Sequence, residues 1–277
     1  MEEQQDTLAE ALYVALPYIR SFAGRTVVIK LGGSAFGGRD TTLRDIVTLK
    51  GLGVKPVLVH GGGNDISNLL KRLGAEPRFV GGLRVTDEAT LEAVVMVLAG
   101  KVNKEIVGAL CALGAPALGL SGIDGGLLCG RVKEPALGLV GEVTKVNLPV
   151  LQMALDGGYI PVVAPLALGE NGGALNVNGD TAAGEVAAAL GAAKMIFLTD
   201  VAGILNRDGT LVSKVSRQGV QELIQTGVVS GGMIPKVLAC VRALEGAERA
   251  HIIDGRAPHA LIRELYTDRG VGTMITP

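Results

Sequence analysis

The chain alternates between two kinds of segment. Short apolar runs lie at 26–31, 56–60, 115–120, 159–164, 194–199 and 250–254, and between many of them lie stretches of helical spacing at 41–52, 65–73, 87–99, 181–190 and 234–245. The short runs are apolar throughout, not on every second residue, which is the pattern of strands covered on both faces. Strands alternating with helices build a parallel sheet, because each return to the starting edge needs a crossover. The expected fold class is α/β, with an open, largely parallel central sheet sandwiched by helices and two lobes sharing that sheet. Residues 127–132 and 140–146, joined by a Pro/Gly turn region, predict a β-hairpin inserted among these units. Ahead of the first strand, Thr7-Leu8-Ala9-Glu10 forms a capping-box pattern, and Leu8, Leu12, Leu16 and Ile19 recur at helical spacing. Pro17 falls inside that pattern and is expected to kink or interrupt the helix.

Composition narrows the function classes. Hydrophobic residues make up 48% of the 277 and aromatics 3%, without Trp, so the core must be built from Val, Leu, Ile and Ala. A formal net charge of -1 provides no basic footprint for nucleic acid and no polybasic membrane patch. Cys111, Cys129 and Cys240 are widely spaced, with no C-x-x-C pair, and read as reduced thiols of a cytoplasmic protein rather than a disulfide framework or zinc site. The acidic opening Met1-Glu2-Glu3 is unlike a signal peptide, and Gly, Pro or charge cuts every apolar stretch short of a bilayer's thickness.

Three strand ends carry unusual residues. They read Lys30-Leu31-Gly32-Gly33-Ser34, His60-Gly61-Gly62-Gly63-Asn64 and Thr199-Asp200-Val201-Ala202-Gly203. Ligands of open α/β sheets bind at the carboxyl ends of strands. Consecutive glycines let backbone N–H groups converge on an anion, and a following helix adds its dipole. Neither G-x-G-x-x-G nor a P-loop occurs, which disfavours a nucleotide-dependent oxidoreductase. Lys30 is either a strand-end lysine reaching for water or a phosphate ligand. Lys236, after Gly232-Met233-Ile234-Pro235, sits in a first helical turn, where a cation opposes the macrodipole unless an anion binds there. Asp180 reads as a helix N-cap or as a carboxylate that orients lysines. Arg84 reads as a surface group or as a bidentate carboxylate ligand. His60, His251 and His259 are the three histidines, and they accompany no G-x-S-x-G elbow and no metal-ligand cluster.

Taken together, VVIKLGGSA from Val27, VLVHGGG from Val57, GLRVTDE from Gly82, LAGKVNKEIVG from Leu98, GLSGIDG from Gly119, NVNGDTAA from Asn176, LTDVAGIL from Leu198, GGMIPK from Gly231 and HIIDGRAPHAL from His251 resemble the acetylglutamate kinases of the amino acid kinase family. GLRVTD with GGMIPK is the specific pairing, separating the chain from relatives that phosphorylate aspartate, carbamate, uridylate or glutamate. The resemblance implies ATP-dependent phosphorylation of the N-acetylglutamate side chain on the way to arginine. Lys30 and Lys236 would contact the transferring phosphoryl group, with Asp180 holding both. Gly32, Gly33, Gly61 and Gly62 would supply N–H donors. Arg84 and Asn176 would bind acetylglutamate, while Thr199, Asp200, Gly203, Ile204, Gly232 and Met233 would border the nucleotide. Mg²⁺ would be held mainly through ATP phosphates, with no protein metal ligand.

The same resemblance implies a division into 1–22, an oligomerisation helix; 23–191, an acetylglutamate-binding and dimerisation lobe; and 192–277, a nucleotide lobe. It further implies a homo-oligomer built as a trimer of dimers. L-arginine would act as feedback effector near His251, Glu264 and Gly270, and a PII-type signalling protein is a possible partner. Departures are Asn64-Asp65 after the second glycine loop and a glycine-rich, shortened stretch at 36–40. Rival readings are a kinase for a related acylated amino acid and a catalytically silent arginine sensor on the same fold.

Overall fold

A computed structural model of the chain describes residues 2–32, 41–267 and 270–277. Gly33 and the stretch 36–40 lie outside the described residues. An eight-stranded sheet runs through the molecule in the order β12 (Lys214–Ser216), β14 (Gly272–Thr276), β13 (Ala250–Asp254), β11 (Lys194–Thr199), β1 (Thr26–Leu31), β2 (Lys55–His60), β8 (Ile160–Ala164) and β5 (Ala117–Ser121). Every neighbouring pair is parallel except β13 with β14. The expected largely parallel sheet is therefore observed, with an antiparallel partner for β13 that the short alternation in Gly272–Thr276 did not reveal.

The apolar strands are explained by two cores. Val28 of β1 faces one hydrophobic cluster while Val27, Ile29 and Leu31 face the other. The first cluster takes side chains from α6 (Pro149–Asp156), α7 (Gly179–Ala189), α8 (Arg217–Gln225) and α9 (Met233–Ala243). The second takes them from α2 (Thr42–Gly51), α3 (Gly63–Arg72), α4 (Glu88–Val95), α5 (Asn103–Ala112) and α10 (Ala260–Tyr266). Each wholly buried Val, Leu or Ile contributes about 1.5–3 kcal/mol. Phe197 on β11 is wholly buried, and the large wholly buried side chains named after it by volume are Ile and Leu, as an aromatic-poor composition requires.

The predicted hairpin is present: β6 (Leu128–Val132) pairs antiparallel with β7 (Gly141–Val146), in a four-stranded sheet completed by β9 (Leu166–Gly169) and β10 (Ala174–Asn176). A second small hairpin joins β3 (Phe79–Val80) to β4 (Leu83–Arg84).

Two helical expectations need correction. The first helix, α1, runs from Glu2 to Phe22 with Pro17 inside it, so of the expected kink or interruption the interruption is absent, and the Thr7 pattern lies inside the helix instead of opening it. Proline removes one backbone donor, yet the turns on either side persist. The stretch expected to end at residue 99 continues. After α4 it becomes π-helical over Met96–Val102 and passes directly into α5. Such π segments recur at functional sites.

Candidate active site

Parallel pairing of β2, β1 and β11 brings the ends of all three strands to one edge, with Lys30 in register with both Val59 and Phe197. Asp180 is the second residue of α7, whose N-cap is Asn178; the Asn178 side chain accepts from the N–H groups of Asp180 and Thr181. The cap reading of Asp180 is thus replaced by its neighbour, which frees the Asp180 carboxylate for side-chain partners. Its Oδ1 lies 2.7 Å from Lys30 Nζ and its Oδ2 accepts from Lys236 Nζ at 2.9 Å. Burial pushes this carboxyl towards the neutral form, but the two ammonium groups outweigh it and hold the pKa below its ordinary value. Lys236 comes from the first turn of α9. Helices α7 and α9 approach closely because Gly184 has no side chain: a Cβ there would stand 2.6 Å from the carbonyl oxygen of Ala239. Gly184 lies one turn beyond Asp180, so this contact sets the spacing across which the ion pair forms.

Beside the triad is a cleft of about 180 Å³ lined by Gly61, Gly62, Arg84 and Asn176, together with Gly179 and Leu98. Arg84 is 7% exposed; one of its terminal nitrogens donates to the Gly63 carbonyl at 2.8 Å and to Ser67 Oγ at 2.9 Å. Its other terminal nitrogen is buried without a protein partner. Phe79 of the small hairpin stacks beneath the guanidinium, 4.7 Å away. Asn176 donates to Thr86 Oγ1 at 3.0 Å, which leaves its carbonyl oxygen as an acceptor facing the same region. The Gly61 N–H is already engaged by the Leu31 carbonyl at 3.2 Å, so within this second loop the expected donor role narrows to Gly62 and the first turn of α3, while the expectation for Gly32 stands beside it. Those N–H groups have no carbonyl one turn back, and no side chain caps them.

The residues expected to border a nucleotide are more scattered. Thr199 is buried, and its hydroxyl bridges Val201 and Ile253. Asp200 is exposed. Gly203 packs on Thr273, and the Ile204 N–H donates to the Thr273 hydroxyl at 2.8 Å. The Ile204 side chain belongs to the core, so only its backbone could border a ligand. Gly232 and Met233 open α9 next to Lys236.

His251, Glu264 and Gly270 gather elsewhere, around a cavity of about 510 Å³ that also includes Lys194, Arg25, Tyr18 and Phe22. Glu264 Oε1 lies 2.7 Å from His251 Nδ1 and 2.9 Å from Lys194 Nζ, and Glu264 Oε2 accepts from the Val271 N–H. Burial opposes its charge, yet the His251 and Lys194 contacts bring its pKa down to about 2. Sequence reasoning missed Lys194, because a lysine opening a strand looks like any strand terminus. It also missed Asn178 and Thr86, which only the folded contacts single out.

Comparison with known proteins accords with this geometry. Residues 25–254 match the amino acid kinase family. An acetylglutamate kinase of Nostoc sp. is 52% identical over 283 aligned residues, covering 99% of this chain and 95% of the relative. Two structures of the N-acetylglutamate synthase of Neisseria gonorrhoeae superpose well. The complex with coenzyme A and N-acetyl-glutamate gives a TM-score of 0.86 at 32% identity, covering 97% of this chain and 63% of the synthase. The complex with coenzyme A and L-arginine gives 0.80 at 29% identity, covering 97% of this chain and 65% of the synthase. The chain belongs to the amino acid kinase family, among its acetylglutamate kinases.

Proposed function

We infer that this chain transfers the γ-phosphoryl group of ATP to the side-chain carboxylate of N-acetyl-L-glutamate, forming N-acetyl-L-glutamyl 5-phosphate in arginine biosynthesis. The observation that carries the reading is the Lys30–Asp180–Lys236 cluster, two ammonium groups on one carboxylate, opening beside a cleft that holds Arg84. A carboxylate oxygen of the acceptor attacks the γ-phosphorus, the bond to the β–γ bridging oxygen breaks, and ADP leaves. The acceptor is already ionised at neutral pH, since a glutamate carboxyl titrates near ~4.3. No general base is needed. The obstacle is repulsion between two anions, and the remedy is positioning and fixed positive charge.

Asp180 organises and does not abstract a proton: both its oxygens are occupied by ammonium groups, and its pKa is depressed. The partnerless nitrogen of Arg84 suits the α-carboxylate of acetylglutamate, a charge-assisted bond at a buried guanidinium. Among the described residues no three His, Cys, Asp or Glu side chains group as a metal centre. Mg²⁺ is proposed to be carried by phosphate oxygens and water, where it would neutralise nucleotide charge.

Purified protein with ATP, Mg²⁺ and N-acetylglutamate should form an acyl phosphate that hydroxylamine traps as hydroxamate. Product with glutamate or an acetylated homologue in place of acetylglutamate, or none with any acceptor, would overturn the assignment.

The second cavity supports a regulatory addition. Its carboxylate at Glu264 and its wall from α1 suit L-arginine as an inhibitor, and the exposed Leu12, Tyr13 and Val14 of α1 suit burial against another subunit of a trimer of dimers. Deleting residues 1–22 should yield an active dimer of reduced arginine sensitivity. A truncated protein still hexameric and fully inhibited would refute this. A cytoplasmic site of action is proposed with it: the three cysteines are free, and among the described residues no helix is long and apolar enough to cross a membrane.

A further inference from the structure

Three stretches singled out in the sequence, VLVHGGG, LAGKVNKEIVG and GLSGIDG, hold residues that the reaction has not yet used. Each contributes one residue to a single buried network, formed by His60, Asn103 and Gly119.

His60 ends β2 and is 1% exposed. Its Nδ1 lies 2.8 Å from the carbonyl oxygen of Gly61, and its Nε2 lies 3.4 Å from Nδ2 of Asn103. A carbonyl oxygen only accepts, so Nδ1 carries the ring proton and donates. A carboxamide nitrogen only donates, so Nε2 accepts. The Asn103 amide is itself oriented. Its nitrogen has two hydrogens for three acceptors: the carbonyls of Val162 at 2.8 Å and Leu120 at 3.2 Å are the nearer ones, and His60 Nε2 shares a hydrogen with one of them, while its oxygen accepts from Lys104 Nζ at 3.0 Å. One tautomer of the uncharged ring satisfies both sides. A charged ring would set a donor against a donor. Burial, with Lys30 and Lys104 nearby, brings the His60 pKa down to about 4 and keeps the ring uncharged at neutral pH.

The place for Asn103 is built by two other features. It is the first residue after the π-helical stretch, and the carboxamide occupies space left by a missing side chain on β5. A Cβ on Gly119 would stand 2.1 Å from Asn103 Oδ1 and 2.5 Å from Lys104 Nζ.

The network ends on a peptide bond. In a trans peptide the carbonyl and the following N–H point in opposite directions. Holding the Gly61 carbonyl against the imidazole therefore turns the Gly62 N–H away from the ring. The ring is buried behind the loop, whereas Gly61, Gly62 and Gly63 line the acceptor cleft. A peptide between two glycines has the widest choice of orientation, having no Cβ on either side.

We propose that His60 is a positioning residue for phosphoryl transfer: its ring, registered by Asn103 in the space left at Gly119, locks the Gly61–Gly62 peptide so that the Gly62 N–H faces the reacting anions. The proposal rests on the kinase reading for the identity of those anions. His60 touches neither substrate and acts only through the peptide.

The test compares His60→Leu, which removes the donor, with His60→Asn, whose amide nitrogen stands about where Nδ1 stood. With ATP, Mg²⁺ and N-acetylglutamate, His60→Leu should lower kcat about tenfold, less than the loss of a whole preorganised donor. The KM for ATP should stay within about twofold of the parent value, because ground-state binding of the nucleotide does not use this peptide. His60→Asn should recover most of the lost kcat. Parental kcat in His60→Leu, or equal losses in both variants, overturns the lock.

Should neither variant fold, ¹⁵N spectra of the parent protein decide. Three histidines are few enough to assign. A His60 ring uncharged and protonated at Nδ1 at neutral pH supports the proposal, and an Nε2–H tautomer or a charged ring overturns it. A parent protein that forms no hydroxamate defeats the reading of the reaction instead, and the ring-nitrogen spectrum then decides the lock by itself.

Discussion

Two places in this molecule hold a buried carboxylate between two basic groups, and they face opposite tasks. Lys30–Asp180–Lys236 is assembled at the end of β1 and the first turns of α7 and α9. Lys194–Glu264–His251 is assembled at the beginnings of β11 and β13, on the other side of the sheet. The side chains of the first cluster's lysines are 12% and 24% exposed, while those of Lys194 and His251 are 8% and 5% exposed. The first cluster keeps a permanent surplus of one positive charge and opens beside uncapped N–H groups of α3. In the second, the Val271 N–H also closes on the carboxylate, and one basic group is a histidine whose charge varies with pH. Similar contact distances thus serve a cluster with surplus positive charge beside one cleft and, in the other place, a more deeply buried cluster on the wall of a larger cavity.

The sharpest way to break that contrast is to remove a lysine proposed to act as a transition-state donor. Lys236→Ala should reduce kcat by about two to three orders of magnitude, with most of the loss in the chemical step. A loss confined to KM would make Lys236 a binding residue and erase the distinction drawn here. Next come the two carboxylates. Glu264→Gln leaves the deeply buried Lys194 and His251 without their charged partner and should lower the unfolding free energy by about 3 kcal/mol, read from urea midpoints. Asp180→Asn should cost clearly less stability, because its lysines can turn to water, and should cost kcat instead. Equal destabilisation by both would mean that the two clusters are the same kind of joint.

Arg84 sharpens the boundary between binding and catalysis. Its partnerless nitrogen is poised for a charged ligand, so Arg84→Ala loses one charge-assisted contact of about 1.5–3 kcal/mol, or roughly ten- to hundredfold in the KM for acetylglutamate. A variant whose loss fell entirely in kcat would contradict this placement.

What the sequence made legible follows from where each signal resides. The parallel sheet was readable because full burial makes strands such as Thr26–Leu31 apolar on both faces. The glycine loops were readable because they are contiguous. Lys30, Asp180 and Lys236 stood out as charges in odd places, but their meeting is a property of sheet order and of the close α7–α9 approach, neither of which has a local signature. The resemblance to known kinases supplied that meeting. Pro17 does not interrupt α1 because a helix can forgo one hydrogen bond when its flanking turns are sound. Lys194 and Asn103 were invisible as functional residues: one opens a strand and the other lies mid-rod, and only their partners at 264 and 60 make them distinctive.

The smallest expected effect is the pH dependence of stability, and it separates the two regions again. In the folded chain the His60 pKa is about 4, against 6.5 for an ordinary histidine. Between those values the unfolded chain binds a proton that the folded chain refuses, so stability falls as pH is lowered through this window. Glu264 works in a more acidic one. Its pKa of about 2, against 4.5, means that its contribution is whole above pH 4.5 and is lost as pH falls towards 2. His251 is displaced downward as well, by burial first, so it adds to the slope of the upper window. Urea unfolding across pH should therefore show a shallower slope between pH 6.5 and 4 in His60→Asn, and a shallower slope below pH 4.5 in Glu264→Gln. An unchanged upper slope in His60→Asn would leave His251 as its source, and the His60 ring could not then be the uncharged group that its contacts with Gly61 and Asn103 demand.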